Sequence, residues 1–224
     1  MKSTFKITLA YLKELGACRT GQREFQEAFP DGGEYQEVLD RCAKEDRIDF
    51  GLWLLAHVGA TEDVRVYEDA VNSPGEYIMF AGSVEFKAGA NVRGIKAGGG
   101  IEAGWGIRAG EGIEAGRGIE AGEGIETGWG IEAGWGIRAG WGIKAGWGIK
   151  AGRGIEAGEG IEAGEDIKAG KGIIKSVFGC GIYAGLNVPV EDWYRFSVVS
   201  AKTKPENLMS GCWKPLEDGD AQTT

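Results

Sequence analysis

Histidine occurs once in this chain, at His57, and proline only five times in 224 residues. A lone histidine offers no histidine pair for a divalent metal. It sits within an apolar helical stretch, where it reads as a packed or rim side chain rather than a base. Cysteine is nearly as scarce. Cys18, Cys42, Cys180 and Cys212 follow no zinc-binding spacing. Two of them fall on apolar helical faces, where a cysteine acts as a small buried hydrophobe. A reduced, cytoplasmic protein is expected. No apolar run is long enough to span a bilayer, and no signal peptide precedes the first helical stretch, so no membrane association is expected.

Basic charge is short as well. The chain carries 34 acidic and 25 basic side chains, a net charge of −9. Such a chain is a poor binder of phosphates, so direct nucleic-acid binding is not expected. It is suited to basic protein surfaces, including the nucleic-acid channels of other proteins. The sequence shows no nucleophile–base constellation, no phosphate loop and no metal-ligand spacing. It therefore assigns no catalytic residue, no cofactor and no metal, and the chain reads as non-enzymatic.

What the chain has instead is a repeat. From Ile95 to Ile173 an isoleucine falls at every sixth position, in the unit Gly-Ile-charged-Ala-Gly-x. The departures are few: Thr127 replaces Ala, Gly99 stands at x, and Asp166 replaces a Gly. Glycine excludes a helix here, at about 1 kcal/mol per residue. Isoleucine and alanine lie two apart, so both face one side of a short strand, and the charged residue between them faces the other. The glycines flanking x suit corners, through positive φ or close backbone approach. Each unit is too small to bury its own apolar face, so the units must stack. The expectation is a mainly β fold: a parallel β-helix (β-solenoid), with 18 residues per coil favoured over 12. At 18, neighbouring outward charges make seven opposite and three like pairs. At 12 they make six and five. The repeat would supply four to five coils.

The expected organisation follows. Residues 1–71 form an α-helical module of four helices, 72–93 linking strands and an N-terminal cap, 94–175 the solenoid, 176–216 a C-terminal β cap, and 217–224 a disordered tail. Residues 72–75 (Asn-Ser-Pro-Gly) read as a turn. The phase slips by three between Val92 and Ile95 and again after Ile173, as atypical terminal repeats do. Trp193–Ser200 and Leu208–Trp213 read as two strands covering the open end.

Five of the eight tryptophans occupy x: Trp105, Trp129, Trp135, Trp141 and Trp147. The last four are consecutive, with Arg138, Lys144, Lys150 and Arg153 beside them and acidic blocks on either side. At 18 residues per coil Trp135 lies between Arg117 and Arg153, a cation–π column, and Trp129 lies on Trp147. Exposed aromatic and arginine side chains are also the usual hot spots of interfaces. The candidate interface is Trp129, Trp135, Trp141, Trp147, Arg138, Arg153 and Lys144, contacting a protein partner or a second copy in a homodimer.

The repeat resembles the parallel β-helices of the hexapeptide and bactofilin kind, over about a third of the chain. It departs from the hexapeptide acyltransferases, which place a small residue four after the aliphatic one and use a catalytic histidine. Short N-terminal helices followed by Gly-Ile-x-Ala-Gly-x units are similar to accessory proteins carried by phages and prophages. That resemblance implies a host-defence inhibitor, of the anti-CRISPR sort, docking on a host nucleic-acid-processing complex in the host cytoplasm. The alternative is a self-assembling, bactofilin-like scaffold. An enzyme acting on sugars or acyl groups is the weakest reading.

Overall fold

In the computed structural model, which describes residues 5–216, three-residue strands repeat from Ile101–Ala103 to Ile167–Ala169, each buried at its ends and open in the middle. Each pairs in parallel with the strand 18 residues away, isoleucine on isoleucine: Ile119 on Ile101 and Ile137, Ile131 on Ile113 and Ile149. The fold is a three-sided parallel β-solenoid of about eight turns and about 18 residues per turn. The isoleucines and alanines line one continuous core.

Strand pairing extends beyond the strict repeat, from Val64 to Pro215. Face one runs from Val64–Tyr67 through Ser83–Phe86 and Ile101–Ala103 to Ile174–Ser176. Faces two and three are joined in one sheet, because Val71–Phe80 and Ala90–Ala97 each run on round a corner. The slip between Val92 and Ile95 is the loss of one corner residue. Ala90 pairs with Ile107, 17 positions on, whereas Ile95 pairs with Ile113, 18 on. The Asn72–Gly75 segment is not a free turn; it lies inside Val71–Phe80, and the irregularity between Ser73 and Tyr77 absorbs Pro74 and Gly75 as a bulge.

The other end also departs from the pattern. Ile173 does not enter the core; it is 45% exposed, and Ile174 takes the inward position opposite Ile155. One residue has been inserted at that corner. Farther on, Trp193–Phe196 is a helical turn rather than part of a strand. Val198–Ala201 and Cys212–Pro215 follow as parallel rungs on Ile167–Ala169, continuing face three. Residues 217–224, expected to be disordered, lie outside the described residues.

The corner glycines are required by close approach, since among the described residues none between Gly94 and Gly172 has positive φ. A Cβ on Gly140, which follows Ala139, would fall inside the carbonyl of Gly122 one coil away. A Cβ on Gly136, which precedes Ile137, would lie 3.3 Å from the Gly154 carbonyl, a tight but passable contact. Asp166 is consistent with this difference. It stands at the second kind of position and uses its carboxylate to accept from the Val198 N–H at 2.6 Å.

Four helices form a second core: α1 (Leu9–Glu14), α2 (Arg19–Ala28), α3 (Tyr35–Lys44) and α4 (Ile48–Val58). Helix α1 starts only at Leu9, because Lys6–Ile7 pairs with Gly33–Glu34 as a short antiparallel ladder and Thr8 caps the helix. Helix α2 is capped by Cys18, whose Sγ accepts from the Gly21 N–H at 3.4 Å. Helix α4 closes at Gly59, with φ at 90°. The module packs on the first rung of face three, where alternate residues serve different cores. Ile78 and Phe80 point into the solenoid, whereas Met79 and Ala81 point into the helices. Gln36 of α3 completes the rung: its amide donates to the Met79 carbonyl at 2.8 Å and accepts from the Ala81 N–H at 3.0 Å. A helix side chain thus substitutes for a neighbouring strand on an edge that would otherwise invite pairing.

The two glycine positions should respond differently to a methyl group. Gly140→Ala is expected to cost about 1–3 kcal/mol by overpacking, and Gly136→Ala clearly less, read as the shift in urea midpoint for each variant. Equal shifts would mean that the contact on the Gly122 carbonyl does not set the coil spacing.

Candidate functional site

With the core closed by isoleucine and alanine and glycine at the corners, only two side chains in each unit reach solvent: x at the corner and the charged residue in mid-strand. The three corners carry three different columns. The first, between faces three and one, reads Gly99, Arg117, Trp135, Arg153. The second, between faces one and two, reads Trp105, Glu123, Trp141, Glu159. The third, between faces two and three, reads Arg93, Glu111, Trp129, Trp147, Glu165. Each column is held rung to rung by backbone bonds, such as Trp135 N–H to the Arg117 carbonyl at 3.2 Å and Trp141 N–H to the Glu123 carbonyl at 3.2 Å.

The candidate interface residues are therefore not gathered on one surface. Trp135 and Arg153 share the first corner, Trp141 lies on the second, and Trp129 and Trp147 share the third. Arg138 is on face one and Lys144 on face two. Together they form a belt round the waist of the solenoid, with the four indoles 45–55% exposed.

Each corner solves the exposure of its indoles differently. At the first, Trp135 is sandwiched by Arg117 at 5.8 Å and Arg153 at 4.9 Å. At the third, Trp129 and Trp147 stack at 5.4 Å with planes 5° apart. At the second, Trp105 and Trp141 alternate with Glu123 and Glu159, and among the described residues no aromatic or cationic side chain stacks on either ring. Beside the corners lie shallow grooves. The one along face two is about 730 Å³ and includes Trp105, Trp141, Glu123 and Glu159; the one along face one is about 760 Å³ and includes Trp135, Arg138 and Arg153.

The mid-strand charges also differ by face. On face two Arg108 pairs with Glu126 at 2.9 Å and Lys144 with Glu162 at 3.5 Å. On face three Lys96 pairs with Glu114 at 2.6 Å and Lys150 with Glu132 at 2.8 Å. Such exposed pairs contribute about 0–1 kcal/mol each, so they order the surface more than they stabilise it. Lys96 differs, since it is only 6% exposed and its ammonium needs Glu114.

A second constellation joins the module to the solenoid, and no sequence motif marks it. Arg65 lies over the Phe80 ring at 4.6 Å and grips the Asp40 carboxylate of α3 at 3.1 and 3.2 Å. Arg93 lies over Tyr77 at 4.8 Å and reaches Asp46 at 2.9 Å and Glu111 at 2.7 Å, while the Tyr77 hydroxyl donates to Glu111. Burial, and then the nearby Asp46 charge, push the Glu111 carboxyl above its usual range. In the helical core, burial pushes the Cys42 thiol up to about 12 and raises the Tyr35 phenol as well. These are structural groups. His57, as a rim residue, has its Nδ1 2.8 Å from the Trp53 carbonyl and its ring stacked on the Trp53 indole at 4.3 Å.

Against known families, the model described as the YdhT N-terminal domain matches residues 1–59. The match spans α1 to α4 and stops at the glycine that ends α4, so it concerns the helical module and not the solenoid. No curated protein and no solved structure matches the chain.

The stacked pair should give an exciton couplet in far-ultraviolet circular dichroism. Trp147→Ala is expected to abolish it and Trp141→Ala to leave it, and loss in both would refute the pairing. A thiol reagent at mildly alkaline pH should label the exposed Cys18 and Cys180 rapidly. Cys42 is expected to stay unlabelled until the chain unfolds, because its raised pKa keeps it protonated. Rapid labelling of Cys42 in the native state would contradict its burial.

Proposed function

We propose that the chain is a non-enzymatic, protein-binding inhibitor of phage type that docks on a host nucleic-acid-processing complex in the host cytoplasm. The supporting observation is the belt of exposed tryptophans on a chain of net charge −9. Exposed aromatic side chains that a fold does not need for its core are typical interface anchors. An acidic surface steers them toward a basic partner, and proteins that handle nucleic acid present such basic surfaces. The backbone ladders make the solenoid a rigid arm, so the belt is presented with little loss of freedom on binding. The YdhT-like helical module fixes one end of that arm.

One observation favours a second reading, a self-assembling bactofilin-like scaffold. The first and second corners carry Arg-Trp-Arg and Glu-Trp-Glu at the same spacing, so one copy is complementary in charge to the next. A contact between unlike corners would be heterologous and would continue into rings or filaments. A homodimer is the smallest product of such pairing.

Two measurements separate these readings. Light scattering behind size exclusion should give a discrete monomer or dimer for the inhibitor; growth with concentration would favour the scaffold. Affinity capture from host lysate should recover an identified nucleic-acid-processing component with the wild type and lose it, at least about tenfold, with Trp129→Ala/Trp141→Ala. Recovery of no such component would end the inhibitor reading.

A further inference from the structure

The protein docks its own helical module with one recurring unit: an aromatic ring, a guanidinium laid on it, and carboxylates on the guanidinium edges. Arg65 rests on Phe80 and is held by Asp40. Arg93 rests on Tyr77 and is held by Asp46 and Glu111. In each case the ring and the arginine come from the solenoid and a carboxylate of the module completes the contact. The first corner shows part of the same unit, since Trp135 already carries Arg117 and Arg153 on its faces.

The second corner contains everything in that unit except the arginine. Trp141 is 55% exposed and Trp105 59%. Glu123 and Glu159 stand one coil to either side of Trp141, in the places that Arg117 and Arg153 occupy around Trp135. Neither carboxylate has an ion-pair partner among the described residues. The cations lining the same groove are already engaged on face two, Arg108 by Glu126 and Lys144 by Glu162.

We propose that this corner is a docking slot for an arginine side chain of a basic partner protein. The guanidinium lies on one face of the Trp141 indole, and its N–H edge donates to the carboxylate on that side, Glu123 or Glu159. This rests on the protein-binding reading above and gives the partner's contact its chemistry. Arginine is favoured over lysine because a planar, weakly hydrated cation can stack on the ring and still donate to a carboxylate from its edge. A second copy of this chain is a poorer occupant. Its Arg117 and Arg153 are already held on Trp135 and would have to leave that ring, or share it, to lie on Trp141 of another copy.

The test uses the full chain, with hexa-arginine and hexa-lysine peptides as probes, at low salt, followed by tryptophan fluorescence and calorimetry. Hexa-arginine is expected to bind roughly fivefold or more tighter than hexa-lysine. Glu123→Gln/Glu159→Gln, and separately Trp141→Ala, should each weaken hexa-arginine about tenfold or more. Glu132→Gln/Glu165→Gln, which removes the same charge from face three and its edge, should leave binding within about twofold. Circular dichroism of each variant shows that the coil persists. Equal affinity for the two peptides, or equal loss in the face-three variant, would reduce the effect to net charge and overturn the slot. Sedimentation of the unliganded variants covers the remaining occupant: a fall in oligomer size with Glu123→Gln/Glu159→Gln would assign the corner to a second copy and overturn the proposal. If capture from lysate succeeds while hexa-arginine fails, the slot alone is wrong. If hexa-arginine binds as expected while capture fails, the slot stands and the class of partner is wrong.

Discussion

The structure depends on how closely one coil lies on the next. At the glycine that follows the alanine in nearly every unit, the neighbouring carbonyl occupies the space where a Cβ would be; Gly110, beside the shortened corner at Arg93, is the exception. That contact forbids any side chain there, and the repeat's strictness follows from it. The isoleucine and alanine must fill a narrow triangular interior, and the glycines must let the backbones close. Four of the six positions are thereby consumed by the fold. The mid-strand residue and x are all that remains for anything else, and the chain's variation in residue type is concentrated at those two.

The same closeness explains which parts of the fold were legible in the sequence. Coil size could be read because mid-strand charges 18 residues apart face each other, and pairs such as Arg108 with Glu126 and Lys150 with Glu132 do so. The buried side of every strand could be read from the two-residue alternation of isoleucine and alanine. The reading weakened where one residue is added or removed at a corner. Ile173 and Ile174 are adjacent isoleucines, and no local preference says which turns inward. That is decided by pairing with Ile155 nineteen positions earlier. Likewise Pro74 and Gly75 carry a turn signal, but the neighbouring strand Ala90–Ala97 holds both sides of the bulge in register. Tertiary pairing overrode local propensity in both places.

The candidate site was legible in its residues but not in its grouping. Four consecutive tryptophans look like one patch when read along the chain. A three-sided coil sends successive x residues to successive corners, so the neighbours that matter are 18 apart. Reading every eighteenth residue separates an arginine column, an acidic column and a stacked column, each with its own chemistry. The junction between module and solenoid gave no such handle. Gln36, Asp40, Arg65 and Arg93 are ordinary polar residues in sequence, and their roles come from where α3 happens to lie against the first rung of face three.

That junction also shows what the solenoid surface can do. Its rungs are flat and its core is closed by isoleucine and alanine, so a partner finds little apolar depth to enter. Attachment relies on planar groups that lie along a corner and on charges that meet their edges. The helical module is held on by this means in addition to Met79 and the Gln36 bridge. Since the backbone ladder is indifferent to the identity of x, a column can exchange arginine, glutamate or tryptophan without altering the coil that carries it. The three corners are in that sense independent surfaces on one frame. Two of them satisfy their exposed indoles from within the chain, while Trp141 stands between Glu123 and Glu159, and Trp105 between Ala88 and Glu123, with their faces open.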